Sequence, residues 1–281
     1  MTAVCDAPRA PWAPSASDPT EATISARSLA KARGTVEDLA RSYFPVFGLP
    51  VDDVLCFADS VYFVAASLYE IDELNEVGAP AAAARAALEA FLRGRGLLCD
   101  KVTASLARGD AYWRLERDLV AAWRRTTDGG GDEEDALLEA ATRASSMKSF
   151  DYETLSLVVL GLSGKASEPR LLAFLNACFQ LVEVEDDLRD YVKDVKADTF
   201  NVYRAFVRRH GADAPSHLRA WIAGLEAAYV TARDAAGLDA AVLRFHVERN
   251  EQQGGAGPVM APRTGAWVIP KPLAPLGPRR R

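Results

Sequence analysis

The chain has 281 residues, 49% of them hydrophobic and 26% charged, with a formal net charge of −6. That length suits one large domain with a substantial core, or two small ones, and the composition is that of a soluble globular protein. The mild acidity leaves no basic footprint for nucleic acid or an anionic membrane. Cys5, Cys56, Cys99 and Cys178 form no CxxC pair, which argues against a disulfide framework or a zinc site and fits a reducing cytoplasm.

Residues 1–20 are rich in Pro, Ala and Ser and read as a disordered arm. Prolines and acids stand where a signal peptide would place its apolar stretch. From 21 to 252 the chain reads as one all-α domain of roughly eight to ten helices. Residues 51–76, VDDVLCFADSVYFVAASLYEIDELNE, run without Gly or Pro and stop at Gly78. No apolar run is expected to reach the ~20 residues of a membrane span. Residues 80–96 open on Pro80 and are full of Ala, Leu and Arg, all good helix formers. Residues 105–125 and 133–147 flank a DGGGD hinge, and 149–164 stop at Gly164. Residues 167–195 open on a Ser–Glu–Pro start signal. Helices at 216–237 and 238–253 complete the domain, and 253–281 form a Gly/Pro-rich tail.

The segment VEDDLRDYVKDV, residues 184–195, concentrates acids at the end of an otherwise apolar helix. Asp186, Asp190 and Asp194 are four residues apart, so they form one column over two turns. Like charges at that spacing destabilise a helix, and buried carboxylates need a cation. A solvated helix end, with the acids paired to Arg189, Lys193 and Lys196, is the ordinary explanation. A second apolar helix ends in the same way, however, with Asp72, Glu73 and Glu76 in DELNE. Two such ends facing one another would hold Mg²⁺ and a diphosphate, because hard divalent cations take carboxylate and phosphate oxygens.

The two motifs resemble those of the class I terpenoid synthase (isoprenoid synthase) superfamily. DELNE is similar to the first aspartate-rich motif, DDxx[DE], with Glu73 replacing the second Asp. DDLRDYVKD, which also supplies Asp187, resembles DDxxD of the chain-elongating prenyltransferases. It also resembles the metal triad of the terpene cyclases, with Asp190 in place of Ser/Thr and Asp194 in place of Glu. LRDYVKD is similar to the LRDxxED of squalene and phytoene synthases. The resemblance implies a helical barrel around a largely apolar cavity, three Mg²⁺ ions at an acidic mouth and a prenyl diphosphate substrate. It admits a homodimer.

A leaving diphosphate needs cationic donors besides metal. The resemblance implies a sensor arginine upstream of the second motif, for which Arg143 and Lys148 are the candidates. Arg189 and Lys193 lie within that motif, and Arg244 or Arg263 would take the place of a late arginine. Tyr69, Phe150, Tyr152 and Phe179 are candidates for the cavity wall, against the commoner role of aromatics as plain core. Asn201 reads as a cap of the next helix. The expected activity is cyclisation of one prenyl diphosphate. Transfer to a second acceptor and a non-catalytic helical binding protein are the alternatives. The early Gly-Lys-Arg segment that holds isopentenyl diphosphate in chain elongation is missing from ARGTVEDLARSYF. The apolar cluster around Trp267 leaves two readings of the tail, a floppy segment or a lid folded over the mouth from about Gly254.

Overall fold

The computed structural model describes residues 24–125, 131–238, 240 and 267–273. The arm at 1–20, most of the DGGGD hinge, the helix expected at 238–253 and most of the tail lie outside the described residues. Among those described, the regular elements are all helical.

Helix α1 (Ala26–Asp38) starts at Ser25, whose side chain accepts from the Ser28 amide, and continues into one π-helical turn (Leu39–Tyr43). Helix α2 (Val54–Glu76) is the apolar run that ends in the first acidic motif. Gly78 stops it with φ +71, a conformation that favours glycine, and the Gly78 and Ala79 amides donate back to Asn75 and Leu74. Then follow α3 (Ala82–Gly94), α4 (Asp100–Arg125), α5 (Gly131–Lys148) and α6 (Phe150–Leu162). Helix α7 (Pro169–Ala197) carries the second acidic motif, and α8 (Val202–His210) and α9 (Ala214–Ala236) complete the described fold. Pro169 stands in the first turn of α7 as expected. Ser167 does not cap that helix, because its hydroxyl and carbonyl both accept from Lys101.

Helix α2 packs against α1, α3 and α6; α4 packs against α5 and α6; α7 packs against α8 and α9. By length and composition alone, residues Val51–Glu76 are apolar enough to cross a membrane, contrary to the expectation from sequence. Val61, Val64, Ala65, Leu68 and Ile71 are nevertheless buried in the protein core. Leu55 and Cys56, nearer the start of the helix, are exposed.

Gly109 sets the approach of α4 to α6. A Cβ there would lie 2.4 Å from the Phe150 ring, so only glycine leaves that ring its place. Phe150 then packs edge-on to Trp113 at 5.0 Å between ring centroids. That aromatic corner lies beneath the two acidic helix ends.

Candidate functional site

The last turns of α2 and the C-terminal half of α7 line one cavity of about 310 Å³. Asp72 and Glu76 come from α2, and Asp186, Asp187, Asp190 and Asp194 from α7. Helix α4 adds Tyr112, Trp113 and Glu116. The junction of α5 and α6 adds Lys148, Phe150, Asp151 and Tyr152. Among the described residues, nine carboxylates and two lysines line this space.

The α2 side is sparsely partnered. Asp72 accepts a hydrogen bond from the Trp113 indole at 2.9 Å. Burial raises its pKa despite that bond, and burial with the neighbouring Asp72 raises that of Glu76. Glu73 is not among the lining residues. It turns to α1 and pairs with Arg27 at 3.1 Å and Lys31 at 3.0 Å. The structure thus separates Glu73 from the other metal-ligand candidates of its motif, because it lies one residue, or about 100°, around the helix from Asp72.

The α7 side is densely partnered. Asp186 pairs with Arg189, and Asp190 with Lys193 at 3.0 Å. Asp187, only 2% exposed, accepts from Lys148 at 2.7 Å and from the Val202 amide at 2.8 Å. It thereby ties α5 and the start of α8 to α7. Asn201 caps α8 by accepting from the Tyr203 amide, and its own amide donates to Asp194 at 2.9 Å and to the Asp187 carbonyl at 2.6 Å. One residue both caps the helix and holds a motif carboxylate. Burial raises the pKa of Asp186 against the pull of Arg189, and that of Asp194 against its bond from Asn201.

Of the two upstream cations, Lys148 reaches the cavity and Arg143 does not. Lys148 shares a helix face with buried Ala141 and Ala144, whereas Arg143 lies off that face and is exposed. Burial opposes the charge of Lys148, but Asp187 and Glu183 (3.0 Å) outweigh it and hold the ammonium protonated well above the ordinary lysine range. Arg189 is half exposed and does not line the cavity. Lys193 does line it. Arg244 and Arg263 lie outside the described residues.

Three acids in the cavity escaped the sequence reading. Glu116 and Asp151 open onto the cavity yet are ringed by protein. Burial, then the charge of Asp72 for Glu116 and of Glu183 for Asp151, pushes each up to about 8. Burial also raises Glu183, although Lys148 opposes it. Glu183 precedes Asp187 by one turn, so extending the acidic column upstream would have found it. Glu116 and Asp151 stand among other acids of their helices (Asp110 and Asp118 on α4, Glu153 on α6) in no metal-ligand pattern, and gave no local signal.

The resemblance implies a largely apolar cavity, but this one is acidic. Tyr69, Phe150 and Tyr152 line it as expected, with Tyr112, Trp113 and Phe200 beside them. Phe179 does not. It lies under Tyr152, at 5.2 Å, and against Tyr43, at 5.0 Å, so rings fill the space below. The described part of the tail does not line the cavity either. Trp267 donates to Glu226 on α9 at 2.8 Å, Tyr203 donates to the Pro270 carbonyl at 2.9 Å, and the Leu273 amide donates to Tyr191 at 3.0 Å. Residues 267–273 are thus strapped to α7, α8 and α9 and do not close the mouth.

The donor set fits a hard divalent cation. The donors are carboxylates on both sides, burial raises the pKa of several of them, Glu116 and Asp151 up to about 8, and two lysines do not balance them. Among the described residues, no three carboxylate, histidine or cysteine side chains already converge as a ready single-ion site. Dispersal around the cavity is what mutual repulsion favours. No family model, curated protein or solved structure matches this chain.

Proposed function

We propose that the chain is a Mg²⁺-dependent class I terpenoid synthase of the isoprenoid synthase fold, which ionises a prenyl diphosphate and cyclises the carbocation. One observation carries this reading: Asp72 and Glu76 of α2 share a cavity with Asp186, Asp190 and Asp194 of α7. These five carboxylates would hold Mg²⁺, which when bound supplies the charge neutralisation that a departing diphosphate requires.

The chain's own residues do the rest. Lys193 is largely exposed, with Asp190 as its ion-pair partner, so it can turn to a substrate oxygen. Lys148 keeps its charge at any working pH and adds a fixed positive field beside Asp187. Tyr69, Tyr112, Trp113, Phe150, Tyr152 and Phe200 offer ring faces to an allylic cation and keep water from it.

Incubation with geranyl, farnesyl or geranylgeranyl diphosphate, with Mg²⁺ or with EDTA, tests the proposal. Mg²⁺-dependent release of diphosphate, with a hydrocarbon or alcohol formed from a single substrate, is the expected result. Product only when an acceptor is added would replace cyclisation by transfer. Absence of turnover on all three would leave a binding protein, and full activity in EDTA would sink the metal reading.

A further inference from the structure

A second cavity of about 230 Å³ adjoins the first, between α2, α3 and α4, and its charge is opposite. Arg85, Arg114 and Arg117 line it, with Asp110 as the one acid. Arg85 is committed: it donates to Glu89 at 3.0 Å, to Asp110 at 3.2 Å and to the Leu106 carbonyl at 3.2 Å. Arg117 donates at 2.6 Å to the neutral amide oxygen of Asn75, and among the described residues neither Arg114 nor Arg117 forms an ion pair. These two arginines are one turn apart on α4 and repel one another. Ala81 and Ala82 also line the cavity, and α3 begins there without a side-chain cap, so the positive end of that helix adds to the field.

We propose that this cavity binds a small phosphorylated anion. Two guanidinium forks outside any ion pair among the described residues, Arg117 on the neutral Asn75 amide and Arg114 felt by Asp110 only through space, stand beside a helix start, and phosphate recognition favours arginine for that geometry. The hollow is open to solvent, and the buried Trp113 forms the wall that it shares with the acidic cavity.

The occupant would be sensed at the acidic cavity. Trp113 lines both spaces, and its indole holds Asp72. Asn75 lies between Asp72 and Glu76 on α2 and is tied to Arg117. An anion that draws Arg117 away from Asn75 therefore acts on the turn that carries the first acidic motif. This inference does not depend on the chemistry proposed for that motif.

Isothermal titration of the full chain with inorganic diphosphate, in EDTA and at low salt, tests it. Without a divalent cation the acidic cavity repels the anion, so saturable binding reports the arginine cavity. The expected result is one site per chain. Binding should weaken roughly tenfold or more in the Arg114→Ala/Arg117→Ala double variant. Both side chains are exposed, so that variant should keep the wild-type circular dichroism and melting temperature. Arg114→Glu alone should weaken binding too, by charge reversal. A flat wild-type titration, or a double variant that binds as well as wild type, overturns the proposal. Equal affinity for citrate would overturn the phosphate assignment. Because no turnover is measured, a failed synthase assay leaves this result standing.

Discussion

Asp72 at the end of α2 has one hydrogen-bond donor, the Trp113 indole, and Glu76 beside it makes no hydrogen bond or ion pair among the described residues. At the end of α7, by contrast, Asp186, Asp187, Asp190 and Asp194 are each partnered, by Arg189, Lys148, Lys193 and Asn201. Asp187 and Asp194 are tied to neighbouring segments, whereas Asp186 and Asp190 make exposed pairs within α7 that contribute little to stability. Asp187 in particular joins three helices. Asp72 loses water without an ion-pair partner, Glu76 stands exposed beside it, and Lys31, Arg27 and Lys148 act on the two only through space, an arrangement the fold does not require. Departures of that kind are where a ligand is expected.

The largest effect should fall on turnover. Asp72→Asn keeps an oxygen to accept from Trp113 and removes the charge. Under the synthase proposal it should lower turnover by about 10²-fold or more, the scale seen when a charge-stabilising group is lost. Its melting temperature without metal should hold or rise, because a buried like charge has gone. Product formation and a thermal melt on the same preparation check both halves, and a cold-labile, unfolded Asp72→Asn would show the acid to be structural.

Asp187→Ala should behave in the opposite way. It strands the Lys148 ammonium and leaves the first amide of α8 without an acceptor. Removing one partner of a buried pair costs about 3–5 kcal/mol. Glu183 remains beside Lys148 and should keep the loss towards the lower figure. Urea unfolding measures this, and a loss indistinguishable from that of Asp72→Asn would erase the contrast between the two helix ends.

The contrast also marks how far the sequence could be read. Both acidic helix ends were visible because their acids repeat at helical spacing within a few residues, and Lys148 was visible as a cation upstream. What failed was direction. Glu73, Arg143 and Phe179 were named by proximity along the chain. Rotation about the helix axis sent Glu73 to Arg27 and Lys31 and turned Arg143 outward, while Tyr152 covered Phe179. Glu116 and Asp151 reach the site only through the packing of α4 and α6, which no local pattern encodes. The all-α architecture was legible because helix formers and stop glycines agree along the chain. The aromatic filling beneath the cavity depends on Gly109 admitting Phe150, a contact between helices far apart in sequence.

Titration extends the comparison to pH. Glu116 and Asp151 are pushed up to about 8 by burial. Between their ordinary carboxylate values and about 8, the folded chain holds protons that the unfolded chain has lost. Stability without metal should therefore fall as pH rises from about 5 to about 8, the reverse of a salt-bridged carboxylate. Glu116→Gln and Asp151→Asn should flatten that slope and raise the alkaline melting temperature. Added Mg²⁺ should restore most stability at the alkaline end, where the most carboxylates are ionised. A melting temperature that climbs with pH across this range in EDTA would contradict the assignment.

The smallest effect separates the two roles of Asn201. Its side-chain oxygen caps α8 and its amide holds Asp194. Asn201→Ala removes both and should cost about 1 kcal/mol through the cap, rising towards 2 if the Asp187 carbonyl is left without its donor. Asn201→Asp keeps an acceptor for the Tyr203 amide, and its charge suits a helix start. It cannot donate to Asp194, and it sets a second carboxylate beside one whose pKa burial already raises. The aspartate variant should therefore unfold in urea closer to wild type than the alanine variant at low pH and lose that advantage as pH rises. Its Mg²⁺-induced rise in melting temperature should also differ from that of the alanine variant, because only the aspartate adds an oxygen donor to the α7 side. Identical melting profiles for the two variants, with and without Mg²⁺, would mean that Asn201 is a helix cap and nothing more, and that Asp194 takes its position without it.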